Sequence, residues 1–446
     1  MLLLTIAVIC VLFIISFLIF DRDLFAPPTV VSLVFLFGGV CCLYNEVRWG
    51  LAFSPKSTGL IAAGIIATMM GGLIGVFLSN YPKVDTFSFI HEKTEPQEVY
   101  ISTVKTCIVI AFQLVTLYVL FRHISQLTGH NSWMLAVERY RELTGNLADV
   151  DDPSIRMPII TRNMVELSRL VGVIYAYIVG NNLIATRKIL SLNWLPVIIY
   201  IVTTFMQGDR SNMIRLCVVA LVTAYTVHKR KVGWQKSMET KKIIGTIVVS
   251  VALVCAVFVG FREIVGRETD MDPFYYLTFY AGSPIAVLNQ VWDAPIVKPE
   301  VFGQRILFYF NESTTAFFGK PGRYNFYYPF FRSANGTFIG NAPTAFRPAF
   351  VEFGFWGFVF AMICFGAFFT LLYCRCRKKR GNSSIDIHLV IYAYISYVFI
   401  MYFYSTFFDF LSHVFIKYII ELLLIRWALV GWQFDKRYRL ILRESN

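Results

Sequence analysis

Nearly charge-free stretches of about 20 residues recur along this chain, and no other feature constrains its fold so strongly. Runs such as LLLTIAVICVLFIISFLIF at 2–20 or FVFAMICFGAFFTLLY at 358–373 match the hydrocarbon thickness of a bilayer, and there is too little polar sequence to cover them in water. Hydrophobic residues make up 57% of the chain and charged residues only 15%. Inside hydrocarbon every backbone N–H and C=O must be satisfied within the segment, which favours helices. The expectation is an all-α polytopic membrane protein with about eleven transmembrane helices. They read as 1–20, 28–46, 58–78, 102–121, 168–185, 190–207, 211–228, 243–260, 350–373, 387–407 and 410–432. The first lacks the basic start and small-residue cleavage site of a signal peptide, so it reads as a retained helix.

The basic loops set the expected orientation. KRKVGWQKSMETKK (229–242), CRCRKKR (374–380) and DKRYRLILR (435–443) alternate correctly if all three face the cytoplasm. That places the amino terminus outside and the carboxy terminus in the cytoplasm. The net charge of +13 is then largely topological, and its spread over separate loops gives no nucleic-acid-binding surface. The chain divides into a membrane domain at 1–260, a large outer loop at 261–349, and a last membrane section with its cytoplasmic tail at 350–446. The loop from about 122 to 167 also falls outside. Neither outer segment contains cysteine, so no disulfide framework is readable.

One outward turn interrupts an apolar run: MQGDRSNMIR at 206–215. Gly208 can end one helix and Asp209, Ser211 or Asn212 can cap the next. That reading leaves Arg210 unexplained, because a cation at a helix amino terminus opposes the macrodipole. A guanidinium beside unpaired helix N–H groups suits a bound anion. Arg215 lies a turn deeper, where a charge either snorkels or faces a cavity or partner.

The 261–349 segment interleaves arginine with aromatics, in GFREIVGR, GQRILFYFNE and GKPGRYNFYYPFFRSANG. An interfacial aromatic belt has this composition, and so does a surface on which sugar rings rest beside phosphate-binding arginines. NAPTAFRPAFVEFGFWG (341–357) closes it. Pro348 suits a first helical turn, Glu352 follows as a dipole-complementing residue or a proton acceptor, and Gly354 and Gly357 allow close helix packing. His413, four residues after Asp409, is a second acid–base candidate or a packed core histidine. Asp149–Asp152 and Asp270–Asp272 read as turns, Cys374 and Cys376 lack metal-site spacing, and no metal or cofactor is expected. Walker A, GxGxxG and GxSxG elements are absent from the sequence.

The outward GDR turn, YAGSPIAVLN (280–289), FGQRILFYF (302–310) and NAPTAFRPAFVEFGFWG, taken in order, resemble the Wzy-type oligosaccharide repeat-unit polymerases. FDRDLFAPPTVVSLVF and WGLAFSPKST resemble the first two junctions of that family. This chain has Asp209 where a small residue is usual and Glu352 where an aspartate is usual. The resemblance implies a fold similar to the GT-C membrane glycosyltransferases, on the bacterial inner membrane. It implies transfer of a growing chain from its undecaprenyl diphosphate to the non-reducing end of an incoming lipid-linked unit, making O-antigen or capsule. A flippase and a chain-length regulator are the implied protein partners.

That chemistry gives the singled-out residues roles. Arg210, Arg262 and Arg347 would meet the diphosphate, with Arg215 and Arg305 second, and Tyr280 and Asn289, at the two ends of YAGSPIAVLN, would line the substrate site. Glu352 is the first choice of base and His413 the second. A polysaccharide ligase would share these features. A lipid-linked oligosaccharide flippase or transporter is the alternative from another class, although charges at the bilayer midplane and internal repeats are not evident.

Overall fold

Helix starts and stops follow local chemistry. Pro27 and Pro28 open the second helix, where their fixed φ and missing N–H cost nothing. Gly208, at φ +66°, ends one helix in the left-handed conformation, and the Asp209 carboxylate accepts from the Ser211 and Asn212 amides to cap the next. The computed structural model describes residues 1–80, 95–145, 156–186, 191–234, 245, 259–260, 271–292, 302–318, 330–377, 385–406, 408–434 and 440–442.

Among the described residues, seven helices are long and apolar enough to cross a membrane. They are α1 (Leu2–Ile19), α2 (Pro27–Tyr44), α4 (Pro55–Asn80), α5 (Thr103–Thr128), α7 (Ile159–Ala185), α9 (Arg210–Val232) and α12 (Phe346–Arg377). Shorter pieces join them: α3 (Glu46–Trp49), α6 (Trp133–Gly145), α8 (Trp194–Gln207), α10 (Pro273–Asn289), α11 (Phe308–Phe318), α13 (Ile387–Ile395), α14 (Tyr397–Ile400) and α15 (His413–Arg426). Two small antiparallel hairpins complete the described chain, β1 (Phe331–Arg332) with β2 (Phe338–Gly340), and β3 (Trp432–Phe434) with β4 (Leu440–Leu442). The protein is an all-α membrane protein.

Several spans differ from the sequence expectation. The 387–407 span is interrupted near Ser396 and again at 401–404, and 410–432 becomes α15 followed by a π-helical turn at Trp427–Gly431. Most of 243–260 lies outside the described residues. The segment expected to be an outer loop contains α10, whose Ile285–Leu288 are fully buried. A side chain at Gly282 would strike the Cys41–Cys42 backbone, so α10 sits directly against α2.

The expected packing role of Gly354 is not what the structure shows. Its φ of 66° and ψ of −174° break α12, and a Cβ there would meet open space. The break lets Phe346, before it, and Phe358, after it, both lie against Gly64 of α4. The close helix approach is made lower down, where a Cβ on Gly71 would strike the Ile363 carbonyl and one on Gly366 the Thr68 carbonyl. Both contacts are with rigid backbone, so Gly71→Leu should cost about 1–3 kcal/mol or more by forcing α4 and α12 apart. Thermal unfolding in detergent checks this, and an unchanged melting temperature would mean the two helices are not packed through Gly71.

Polar groups collect at the two ends of the bundle. At one end Asp23, between α1 and α2, accepts from Tyr225 and Tyr373, each at 2.7 Å. Arg230 there pairs with Asp386 at 2.9 Å and donates to the Cys376 carbonyl. The Gly208 turn, α3, β1–β2 and the start of α15 lie toward the other end, where the candidate site is found.

Candidate active site

Arg210 is the first residue of α9. Its Nη1 donates to the Tyr276 hydroxyl at 2.5 Å, and its guanidinium lies 5.0 Å from the centre of the Tyr280 ring. Both tyrosines are on α10, so the buried α10–α2 contact is what presents them to the arginine. Arg48 of α3 covers the neighbouring Tyr275 ring at 3.6 Å, and the Trp49 indole donates to the Tyr275 hydroxyl. Arg210 and Tyr280, singled out in the sequence, are therefore brought together, and Arg48, Tyr275 and Tyr276 join them.

Arg215 comes five residues later, about 140° round the helix. It is turned inward and paired, not snorkelled. Its Nη1 meets the Asp409 carboxylate at 2.7 Å and the Tyr394 hydroxyl at 2.7 Å. The rings of Tyr394 and Tyr397 flank the guanidinium at 4.6 and 4.7 Å. A second arginine lies close by. Arg169 of α7 rests 4.5 Å from the Tyr418 ring and is electrostatically coupled to Tyr200, Tyr394 and Arg215. Its Nε and Nη2 are buried without a hydrogen-bond partner among the described residues. Two guanidiniums thus share one neighbourhood with Asp409 as the carboxylate paired to Arg215, an arrangement suited to an added anion.

Arg347 is only 6% exposed, on the short first part of α12, with its guanidinium 4.3 Å from the Phe331 ring. Phe346 beside it stacks on Phe35 at 4.4 Å, which seats this part of α12 in the bundle. Ring contacts run from Tyr280 to Phe279 to Phe338, on the same hairpin as Phe331. A band of aromatic faces therefore links the Arg210 and Arg347 sites.

Three candidates hold the chain in place. The Glu352 Oε2 accepts the Arg305 and Ile306 amides at 3.1 and 3.0 Å, fixing the turn that leads into α11. Arg305 enters this contact through its backbone N–H. The Glu352 Oε1 is buried without a hydrogen-bond partner among the described residues. Asn289 is engaged through both side-chain atoms: Oδ1 accepts from the Ser54 amide and the Ser57 hydroxyl, and Nδ2 donates to the Ala52 carbonyl, all at 2.8 Å. His413, at the start of α15, meets Ser313 of α11 through both its backbone N–H and its Nδ1. Arg262 lies outside the described residues.

Glu352→Ala should release the turn before α11 and lower thermal stability, and Glu352→Gln, which keeps an oxygen facing both amides, should recover most of the loss. Equal melting of Ala and Gln variants would count against the anchoring role.

Arg169, Arg48 and Tyr276 were missed from sequence. Arg169 had a readable signal, a lone arginine in the apolar run SRLVGVIYAYIVG. Arg48 and Tyr276 had none, since tertiary contact alone pairs them with the site. No family model, no curated protein and no solved structure matches this chain.

Proposed function

We propose that this protein is a membrane glycosyltransferase that polymerises undecaprenyl-diphosphate-linked oligosaccharide units into surface polysaccharide. The observation that carries the reading is the grouping of Arg210, Arg169, Arg215 and Arg347 toward one end of a helix bundle, each against tyrosine or phenylalanine faces. The basic loops assign the opposite end, with Arg230 and Arg377, to the cytoplasm. The arginine end then faces outward, where lipid-linked units are exposed.

In the reaction, the anomeric carbon–oxygen bond to the lipid diphosphate breaks, and the diphosphate keeps the electron pair. The acceptor hydroxyl forms the new glycosidic bond and gives its proton to a base. Developing charge on the leaving diphosphate is stabilised by guanidiniums already held in place by tyrosine hydroxyls, ring faces and Asp409. Tyr280, Phe331 and Phe338 offer flat faces to sugar C–H edges. Because the donor carries its own leaving group, the chemistry needs no nucleotide.

The test is purified protein in lipid with the producing strain's undecaprenyl-diphosphate unit, EDTA and no nucleotide sugar. A ladder of chain lengths is expected. A single attachment to another acceptor would replace polymerase by ligase, and folded protein that leaves the unit unchanged but moves it across a vesicle membrane would make it a flippase.

A further inference from the structure

We infer that Arg48, Arg332 and the Phe338 ring form a subsite for an anionic group carried on the sugars of the repeat unit, a carboxylate or a phosphate substituent; this rests on the polymerase reading above and names the class of unit it uses. The two arginines are far apart in sequence and are tied to one turn. The Asn335 side-chain amide, at the tip of the β1–β2 hairpin, donates to the Arg48 carbonyl at 2.9 Å, and Arg332 Nη1 donates to the Gly336 carbonyl at 2.9 Å. Gly50, left-handed at φ +57° just after α3, leaves room for Asn335, which a Cβ there would approach to 3.3 Å. Arg332 is the cross-strand partner of Phe338, and such partners present their side chains on the same face of the pair. Ring contacts lead back to the other arginine. Phe338 stacks on Phe279 at 6.2 Å, Phe279 meets Tyr275 at 6.0 Å, and Arg48 covers Tyr275 at 3.6 Å.

Both cations are exposed and held in place, and both keep donors unspent. Among the described residues the Arg48 guanidinium makes no hydrogen bond or ion pair, and Arg332 makes only the one to Gly336. In this they differ from Arg215, which is buried and paired to Asp409. A guanidinium without a counter-ion is costly in hydrocarbon, so this face lies in water beyond the acyl chains. The ring under Arg48 is itself fixed, because the Tyr275 hydroxyl accepts from the buried Trp49 indole. Arginines ordered before binding lose less entropy when an anion arrives.

The ligand must combine charge with an apolar edge. Fork-shaped donors suit a carboxylate or phosphate, and the Phe338 ring, 39% exposed, suits the C–H edge of a sugar. A charged sugar carries both in one residue. A phospholipid headgroup offers the charge without the ring, and the unit's diphosphate is assigned above to other arginines.

The first test needs no enzyme. The surface polysaccharide of the producing strain should contain a sugar acid or a phosphate substituent; a neutral polymer overturns the subsite and leaves the polymerase reading intact. The second reads binding without turnover. Protein in nanodiscs of neutral lipid should bind the repeat-unit oligosaccharide freed from its lipid, and no binding overturns the subsite. Arg48→Gln and Arg332→Gln, shown to be folded by gel filtration, should each weaken binding on the order of 3–10-fold, between the worth of an exposed ion pair and that of a hydrogen bond to a charged group. Arg332→Gln reads the subsite by itself if Arg48→Gln disturbs α3. With its carboxyls reduced to alcohols or its phosphate removed, the oligosaccharide should bind wild type as weakly as the charged form binds the double variant, and the substitutions should then have no further effect. Equal weakening for charged and neutralised sugar overturns the recognition of charge. In the ladder assay both variants should raise KM for the lipid-linked unit. A raised KM with sugar binding untouched overturns the subsite and gives these arginines to the diphosphate or to headgroups. Wild-type protein that binds the charged sugar as described but makes no polymer removes the polymerase reading alone.

Discussion

Arg210→Ala should reduce polymer formation by about 10²–10³-fold while the protein still inserts and folds, the loss typical of removing one preorganised donor from a developing oxyanion. The fold is expected to survive because the turn around Arg210 does not depend on it. Gly208 supplies the left-handed residue, and Asp209 supplies the cap. Arg210 contacts Tyr276 and Tyr280, two aromatic residues seated by the α10–α2 packing. Arg210→Lys keeps the charge but loses the planar fork, and should fall between wild type and alanine. Arg347→Ala should show a comparable loss. Initial rates of unit consumption, with gel filtration to confirm folding, read all three variants. Full-length ladders at wild-type rate from folded Arg210→Ala would remove this arginine from the mechanism.

The parts of this molecule written into local sequence were legible, and the parts made by tertiary contact were not. The GDRSN turn declared itself because Gly208 and Asp209 act within a few residues, and the long apolar runs declared α1, α2, α4, α5 and α12 for the same reason. α10 was hidden inside an aromatic-rich segment that also suits a membrane surface, and its burial becomes visible only against Cys41 and Cys42 of α2. Gly354 looked like a packing residue from its spacing to Gly357, yet its backbone conformation is what the fold uses. Glu352 shows the limit most clearly. A carboxylate near a helix start suggests a base or a dipole partner, but the two amides it receives come from residues 46 and 47 positions away. Nothing local to either segment announces that contact.

Asp409→Ala should destabilise the protein by about 3–5 kcal/mol, because it leaves Arg215 charged, buried and without its counter-ion. Arg215 cannot escape by losing its proton, and its remaining neighbours are the Tyr394 hydroxyl and two ring faces, which solvate a cation less well than a carboxylate. Arg169 nearby adds like charge to the same neighbourhood. The double variant Asp409→Leu with Arg215→Leu removes both charges and should recover most of the stability, as apolar replacements of buried ion pairs often do. Activity should not return with it. If the pair serves only to join α9 to the 409–413 segment, the apolar pair will do that work and the double variant will make polymer. If Arg215 and Arg169 receive the diphosphate, the double variant will be folded, thermally stable and inactive. Melting temperature and ladder formation measured on the two variants separate these cases, because the structural role moves both readouts together and the binding role moves them apart.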